Sequence, residues 1–220
     1  MWSHQRTLCR WWMVGIATLL SWAVHAEDSL LDARQLAALV SQYGEIARVR
    51  VEEWERFMRQ HRARPEAEKV EAVNRYINRI AAGSAGRQAG SESWPTPWEW
   101  IAGRQNGSEG LAVAKYYTLA AMGVPRARLR LMKFVKKDPR HSCLVPGYYP
   151  PQEEAGPLLL RYDTDVLTPL ASWHSGALQY SFNSAWLWVG NNPQPLASAD
   201  RVDLWRDVRE RTEYVLFGDD

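Results

Sequence analysis

The sequence predicts an α+β domain in which helices come first and an antiparallel sheet follows. Three observations support this fold class. Apolar residues recur at helical spacing through residues 27–82, a strong helix covers 111–122, and the period then changes to that of short strands. A terminal helix is predicted at 199–217. The chain of 220 residues is long enough to bury a substantial core.

The N-terminal region predicts three antiparallel helices, or two helices with a kink. Tyr43 and Gly44 offer a stop after the first helix, and Pro65 precedes the last. The last segment carries an apolar stripe at helical spacing, formed by Val70, Val73, Tyr76, Ile77 and Ile80. A glycine-rich segment at 83–90 predicts a loop before the core at 94–190.

The core begins with a segment rich in proline and tryptophan. In Trp94-Pro95-Thr96-Pro97-Trp98-Glu99-Trp100, Pro97 favours the start of a short helix, and the three indoles are typical of a packing cluster. Gly123 and Pro125 end the helix predicted at 111–122. The strands are predicted at 129–135, 143–149, 158–162, 180–182 and 186–189.

The first 26 residues have the features of a Sec-type export signal. Arg6 and Arg10 precede an apolar run at 11–24, and Val24-His25-Ala26 is a suitable cleavage point. The run is shorter than the roughly 20 residues that a membrane-spanning helix needs. An uncleaved N-terminal anchor is the alternative. Since no other apolar stretch of that length follows, we expect a periplasmic protein with residues 27–220 forming a single domain.

Removal of the signal changes the charge and the cysteine count. The whole chain has 27 basic and 25 acidic residues, and the signal contains two of the arginines and no acid. The mature chain is therefore neutral, which argues against a nucleic-acid-binding function because no basic excess is available for phosphates. Cys9 is also lost, so the remaining Cys143 has no partner for an internal disulfide.

Several motifs of the core resemble those of one bacterial enzyme family. The segments that carry the resemblance are Pro97-Trp98-Glu99-Trp100, Gly107-Ser108-Glu109-Gly110-Leu111, Ala114-Lys115-Tyr116-Tyr117-Thr118-Leu119, Tyr148-Tyr149-Pro150 and Tyr180-Ser181-Phe182-Asn183. Over roughly residues 45–190 the chain resembles the transglutaminase-like cysteine peptidases of the LapG type. The resemblance implies a papain/transglutaminase-like fold, with a nucleophile at a helix N-terminus opposite a histidine and an acid. Such peptidases clip large surface adhesins and are restrained by a cyclic-di-GMP-sensing membrane receptor.

The resemblance places the family's working residues on other residue types in this chain. The catalytic cysteine falls on Ser108, the histidine on Cys143 and the aspartate on Arg161. The calcium-binding positions fall on Gly107, Glu109 and Gly110, of which only one is acidic. The resemblance therefore implies a catalytically inactive homologue without a metal or cofactor. Its expected partner is a protein: an adhesin segment, the periplasmic domain of the receptor, or an active paralogue.

An active peptidase is the alternative hypothesis, using either Ser108 with His141 and Asp163, or a thiol at Cys143. If the two strands form a hairpin around Gln152, His141 faces Asp163 and Cys143 faces Arg161. However, a base must come within about 3 Å of its nucleophile. A shift of two residues along a strand moves a side chain by about 6.6 Å.

Each replaced position also has a structural interpretation. Ser108 is typical of a helix cap, and Cys143 of a small buried apolar group. For Arg161 we expect a contact with Glu109 or a position in solvent. The basic stretch of Lys133, Lys136, Lys137 and Arg140 indicates a solvated strand end, and His174 indicates a loop histidine.

Overall fold

Six α-helices and one antiparallel sheet form the described part of the chain in the computed structural model. The description covers residues 29–83, 93–103, 107–135, 142–151 and 156–218. The predicted export signal, His141 and most of the predicted loop at 83–90 lie outside the described residues. No helix within the described ranges is long and apolar enough to cross a membrane.

The helices occupy both ends of the chain and its centre. They are α1 (Ala33–Tyr43), α2 (Ile46–His61), α3 (Glu66–Ala82), α4 (Pro97–Gly103), α5 (Ser108–Ala121) and α6 (Asp203–Phe217). The N-terminal region thus forms three separate helices rather than two with a kink. In the predicted stripe of α3, Val70, Val73 and Ile77 are fully buried. The predicted terminal helix at 199–217 is divided, since a 3₁₀ turn at Ala199–Arg201 precedes α6.

The sheet has seven strands, and all neighbouring pairs are antiparallel. They are β1 (Leu129–Val135), β2 (Ser142–Tyr148), β3 (Leu158–Leu159), β4 (Thr168–Pro169), β5 (Ala177–Phe182), β6 (Trp186–Val189) and β7 (Ala197–Ser198). Their order across the sheet is β4-β3-β2-β1-β5-β6-β7. Strands β1 and β6 match the predicted bounds, and β5 begins three residues earlier than predicted. Strands β4 and β7 were not predicted, because each has only two residues, too few to show an alternation of apolar and polar side chains.

Helix α5 lies at the centre of the core, and every residue from Gly110 to Ala120 is buried. It begins at Ser108, three residues before the predicted start. Two tryptophans from distant helices are packed around it. Trp54 of α2 donates a hydrogen bond from Nε1 to Thr118 Oγ1 (2.9 Å), and the ring of Trp205 in α6 lies 5.3 Å from that of Tyr116. These two indoles bury large apolar surfaces against α5.

The pairing of β2 with β3 differs from the predicted hairpin. Gly147 lies opposite Leu159, and the ladder ends there instead of continuing to residue 162. The predicted pairing of Cys143 with Arg161 is therefore wrong, whereas His141 lies outside the described residues and its pairing with Asp163 stays a prediction. Leu160 still donates its N–H to the carbonyl oxygen of Pro146 (2.9 Å), but Pro146 has no N–H to return. The carbonyl groups of Leu160 and Arg161 instead accept hydrogen bonds from Lys115 Nζ of α5, at 3.1 and 2.9 Å.

Lys115 is the centre of a buried polar network. Its side chain is completely buried, and Nζ also donates to Asn74 Oδ1 and Asn78 Oδ1 of α3, both at 2.7 Å. The amide nitrogens of these two asparagines donate to carbonyl groups between Arg161 and Asp165. The network therefore joins α3, α5 and the segment that follows β3. Burial lowers the pKa of Lys115 to about 7, against the opposing effect of Asp165 and Asp163.

Replacing Lys115 by methionine should change how stability depends on pH. The folded-state pKa lies below the unfolded-state value near 10.4, so above pH 7 the unfolded chain binds more protons and this group's contribution to stability rises with pH. We expect the unfolding free energy of the wild type minus that of Lys115→Met to increase between pH 7 and 9, by up to about 1.4 kcal/mol per pH unit. Urea titrations at several pH values measure this difference.

Lys69→Met is the matched control for this titration. Lys69 is a partly buried lysine of α3 that donates to the carbonyl group of Met122. Its removal should leave the pH slope of stability close to that of the wild type. Parallel stability curves for wild type and Lys115→Met would contradict the titration assigned to Lys115.

Candidate functional site

Ser108, where the sequence resemblance puts the nucleophile, is the first residue of α5. The cap residue is Gly107, whose φ of 121° lies in the region that favours glycine, and the prediction that Ser108 caps the helix is wrong. Its Oγ donates a hydrogen bond to Glu109 Oε2 (2.9 Å) and accepts one from the backbone N–H of Leu144 in β2 (3.2 Å). The hydroxyl thus connects the start of α5 to β2.

Glu109 is the one acidic residue at the expected calcium positions, and its charge is compensated. Lys133 of β1 lies 3.2 Å from Glu109 Oε1, and both side chains are largely shielded from solvent. Lys133 was predicted to belong to a solvated basic stretch, which is wrong for this residue. The other three members of that stretch lie outside the described residues.

The two glycines at the other calcium positions are fixed by geometry. The positive φ of Gly107 makes a side chain there strained. A Cβ atom on Gly110 would lie 2.6 Å from Trp100 Cδ1 and 2.7 Å from Pro95 Cγ. An aspartate at either position would therefore require a rearrangement of the backbone or of the packing around Trp100. Among the described residues no group of three or more His, Cys, Asp or Glu side chains has an arrangement suited to a metal ion.

Cys143, where the sequence resemblance puts the histidine, packs on the face of the sheet away from α5. It lies opposite Phe134 in the β1–β2 ladder, and both belong to a cluster with Met132, Val145 and Leu159. The next residue, Leu144, points the other way and packs in the main core. Ser108 therefore meets the backbone of β2 beside Cys143, whereas the Cys143 side chain packs against the second cluster.

Arg161, where the sequence resemblance puts the aspartate, forms an ion pair with Asp163. Nε donates to Asp163 Oδ1 (2.8 Å) and Nη2 donates to Oδ2, so both carboxylate oxygens accept from one guanidinium. The guanidinium also lies 5.4 Å from the ring centre of Trp173. The predicted contact of Arg161 with Glu109 is therefore wrong, as is an isolated position in solvent.

Asp163, the acid of the alternative catalytic set, is therefore already bonded to Arg161. Hydrogen bonding from Arg161 lowers the pKa of the Asp163 carboxyl group, and both oxygens that would orient a histidine already accept hydrogen bonds. His141 lies outside the described residues, so its place relative to Ser108 stays a prediction.

The sequence analysis missed two features near the site: the Lys115 side chain and the backbone N–H of Leu144. Lys115 lies within the motif that carries the resemblance, and a lysine in an otherwise apolar helix is itself a sign of a buried polar role. The Leu144 backbone N–H has no sequence signal, because any residue type at that position supplies it.

Substitution of Gly110 by alanine should destabilise the protein by about 1–3 kcal/mol through overpacking. Helix propensity alone would have the opposite sign, favouring alanine by up to about 1 kcal/mol, so the sign of the change tests the contact with Trp100 and Pro95. Urea unfolding measures the effect. Pro95→Ala should partly relieve it in the double variant, giving a smaller loss than the two single losses added together. A Gly110→Ala protein more stable than wild type would contradict the close packing.

Comparisons with known proteins place the fold. No protein-family model and no curated protein matches the chain. Among solved structures, EGTA-treated Legionella pneumophila LapG matches with a TM-score of 0.68 and 23% identity, over 83% of this chain and 98% of that one. Calcium-bound L. pneumophila LapG matches with a TM-score of 0.65 and 23% identity, over 82% of this chain and 99% of that one. The described chain therefore has a LapG-like, transglutaminase-like α+β fold.

Proposed function

We propose that this protein is an exported relative of the LapG peptidases that does not cleave peptides and acts by binding another protein. The observation that carries the proposal is the bonding of Ser108, whose hydroxyl lies between the Leu144 amide and the Glu109 carboxylate. A serine at the nucleophile position is active only when a base accepts its proton. Here the proton of Oγ points to a carboxylate whose charge is already balanced by Lys133.

The described histidines give Ser108 no imidazole partner. His61 of α2 has its Nδ1 2.8 Å from the carbonyl oxygen of Phe57, and His174 lies exposed in a loop. In serine hydrolases an imidazole bonded to the nucleophile takes its proton, and an acid orients that imidazole. The orienting acid of the alternative set, Asp163, is bonded to Arg161. These contacts favour loss of catalysis over replacement of one triad by another.

The proposal includes loss of the family's calcium site. Calcium binding takes six to eight oxygen ligands with several carboxylates. Gly107 and Gly110 contribute no side-chain oxygen, and Glu109 is held by an ammonium group. An ion pair at this place supplies the charge balance that a bound cation would otherwise provide.

The N-terminal sequence supports a periplasmic setting for the proposed function. An export signal at residues 1–26 would deliver the chain to the periplasm, where LapG-type peptidases meet adhesins and a receptor. A non-cleaving relative can bind any of three proteins there: an adhesin segment, the periplasmic part of the receptor, or an active paralogue. Control of surface adhesion is the process that this placement supports.

Purified protein should not cleave the adhesin region that a LapG-type peptidase cleaves. We expect no product above background, and we expect Ser108→Ala to behave identically. A fluorophosphonate probe, which labels activated serines, should label the wild type no more than Ser108→Ala. An active LapG-type peptidase is the positive control for cleavage. Cleavage or labelling that disappears in Ser108→Ala would overturn the proposal, and cleavage that disappears only in Cys143→Ala would establish the thiol alternative.

Calcium should leave the thermal stability of the protein unchanged. A ligand that binds only the folded state raises the unfolding free energy by RT ln(1 + [L]/Kd), and the melting temperature rises with it. We expect the melting temperature in millimolar calcium to equal that in EGTA and that in magnesium, because the glycines and the Glu109–Lys133 pair leave no cation site. A calcium-specific rise of several degrees, lost in Glu109→Gln, would show that a site persists.

A further inference from the structure

The face of the sheet away from α5 carries an arginine between two aromatic rings. Arg130 of β1 lies with its guanidinium carbon 3.6 Å from the ring centre of Trp188 and 4.4 Å from that of Tyr149. We call these three residues the arginine–aromatic stack. Both faces of the guanidinium are covered, so its N–H groups can reach an acceptor only at its edge.

The guanidinium of the stack has no carboxylate partner among the described residues. Its Nε is buried without a hydrogen bond, and burial lowers the pKa of Arg130. Arg128, two residues earlier on the chain, has Glu66 as its partner, and Arg161 has Asp163. Cation–π contacts offset part of the desolvation cost, typically by about 0.5–2 kcal/mol, but they leave the Nε–H without an acceptor.

Trp188 provides a second observation at the same place. Its side chain is 6% exposed, and its Nε1–H is buried with no hydrogen-bond partner in the described structure. Two residues away on the same face of β6, Trp186 is 51% exposed. A large exposed indole beside a buried one, next to an uncompensated arginine, has the composition of an energetically important binding surface.

We propose that the arginine–aromatic stack and Trp186 bind an acidic segment of a protein partner. A carboxylate of the partner would accept hydrogen bonds from the edge of Arg130, and an adjacent apolar side chain would cover Trp186. A carboxylate on a protein partner fits this surface better than a nucleic acid or an anionic lipid does, because binding of those two depends on clusters of cations. In the stack there is one cation, and the mature chain is neutral. This inference names the partner chemistry of the proposed binding function and rests on it.

Fluorescence anisotropy with a labelled peptide tests the surface. The probe carries two glutamates flanking a leucine, and its matched control has glutamine in place of both glutamates. We expect saturable binding of the glutamate peptide and at least about tenfold weaker binding of the glutamine peptide, since an uncompensated desolvated charge is expensive. Arg130→Gln should weaken glutamate-peptide binding to a similar extent, and Trp186→Ala should weaken it severalfold.

Arg34→Gln controls for net charge, because Arg34 is an exposed arginine of α1. It should change binding by less than twofold. Since Arg130→Gln removes packing as well, its melting temperature is measured, and Trp186→Ala at an exposed site provides a second variant that keeps the fold.

Three results would overturn the acidic-segment proposal: no saturable binding, equal binding of both peptides, or equal loss in Arg34→Gln and Arg130→Gln. Stronger binding to anionic vesicles or to DNA than to the glutamate peptide would also overturn it. Peptidase activity is tested separately, by cleavage and probe labelling of the wild type and Ser108→Ala. A negative peptide-binding result can therefore be distinguished from a failure of the proposed function.

Discussion

One buried ammonium group holds together the parts of the fold that surround the site. Lys115 Nζ contacts two asparagines of α3 and two backbone carbonyl groups after β3, and every one of these partners is a hydrogen-bond acceptor. A buried cation is costly unless its donors are satisfied, so each contact constrains the others. The network fixes the chain at Arg161, because Lys115 and Asn78 both donate hydrogen bonds to the carbonyl group of that residue.

The replaced site positions form a consistent set of contacts. Glu109 is balanced by Lys133, Arg161 by Asp163, and the space beside Gly110 is filled by Trp100 and Pro95. Loss of one catalytic group from an active enzyme would leave unbalanced charges or unfilled space. Here the described partners compensate locally, which supports the proposal that the fold acts by binding.

Much of the fold was predictable from the sequence, and the errors have physical causes. The α+β class, the stripe of α3 and the bounds of β1 and β6 follow from periodicity, which reports burial directly. The length of β3 and its register with β2 do not, because they depend on which residues face each other across the two strands: Leu160 donates to Pro146, which has no N–H to return. At the site, the residue types at 108, 143 and 161 suggested a replaced triad, but the partners of Ser108 and Arg161 depend on tertiary contacts.

The two faces of the sheet differ in a way that bears on the proposed binding function. On one face, Leu144 and the buried helix α5 form a core that leaves little freedom for change. On the other face, the guanidinium of Arg130 lies against Trp188 and Tyr149 with no carboxylate partner among the described residues. Under the proposed binding function, a carboxylate of the partner at the edge of this guanidinium would offset part of its desolvation cost. The free-energy cost of leaving this guanidinium without a charge partner in the free chain would then contribute to the specificity of binding.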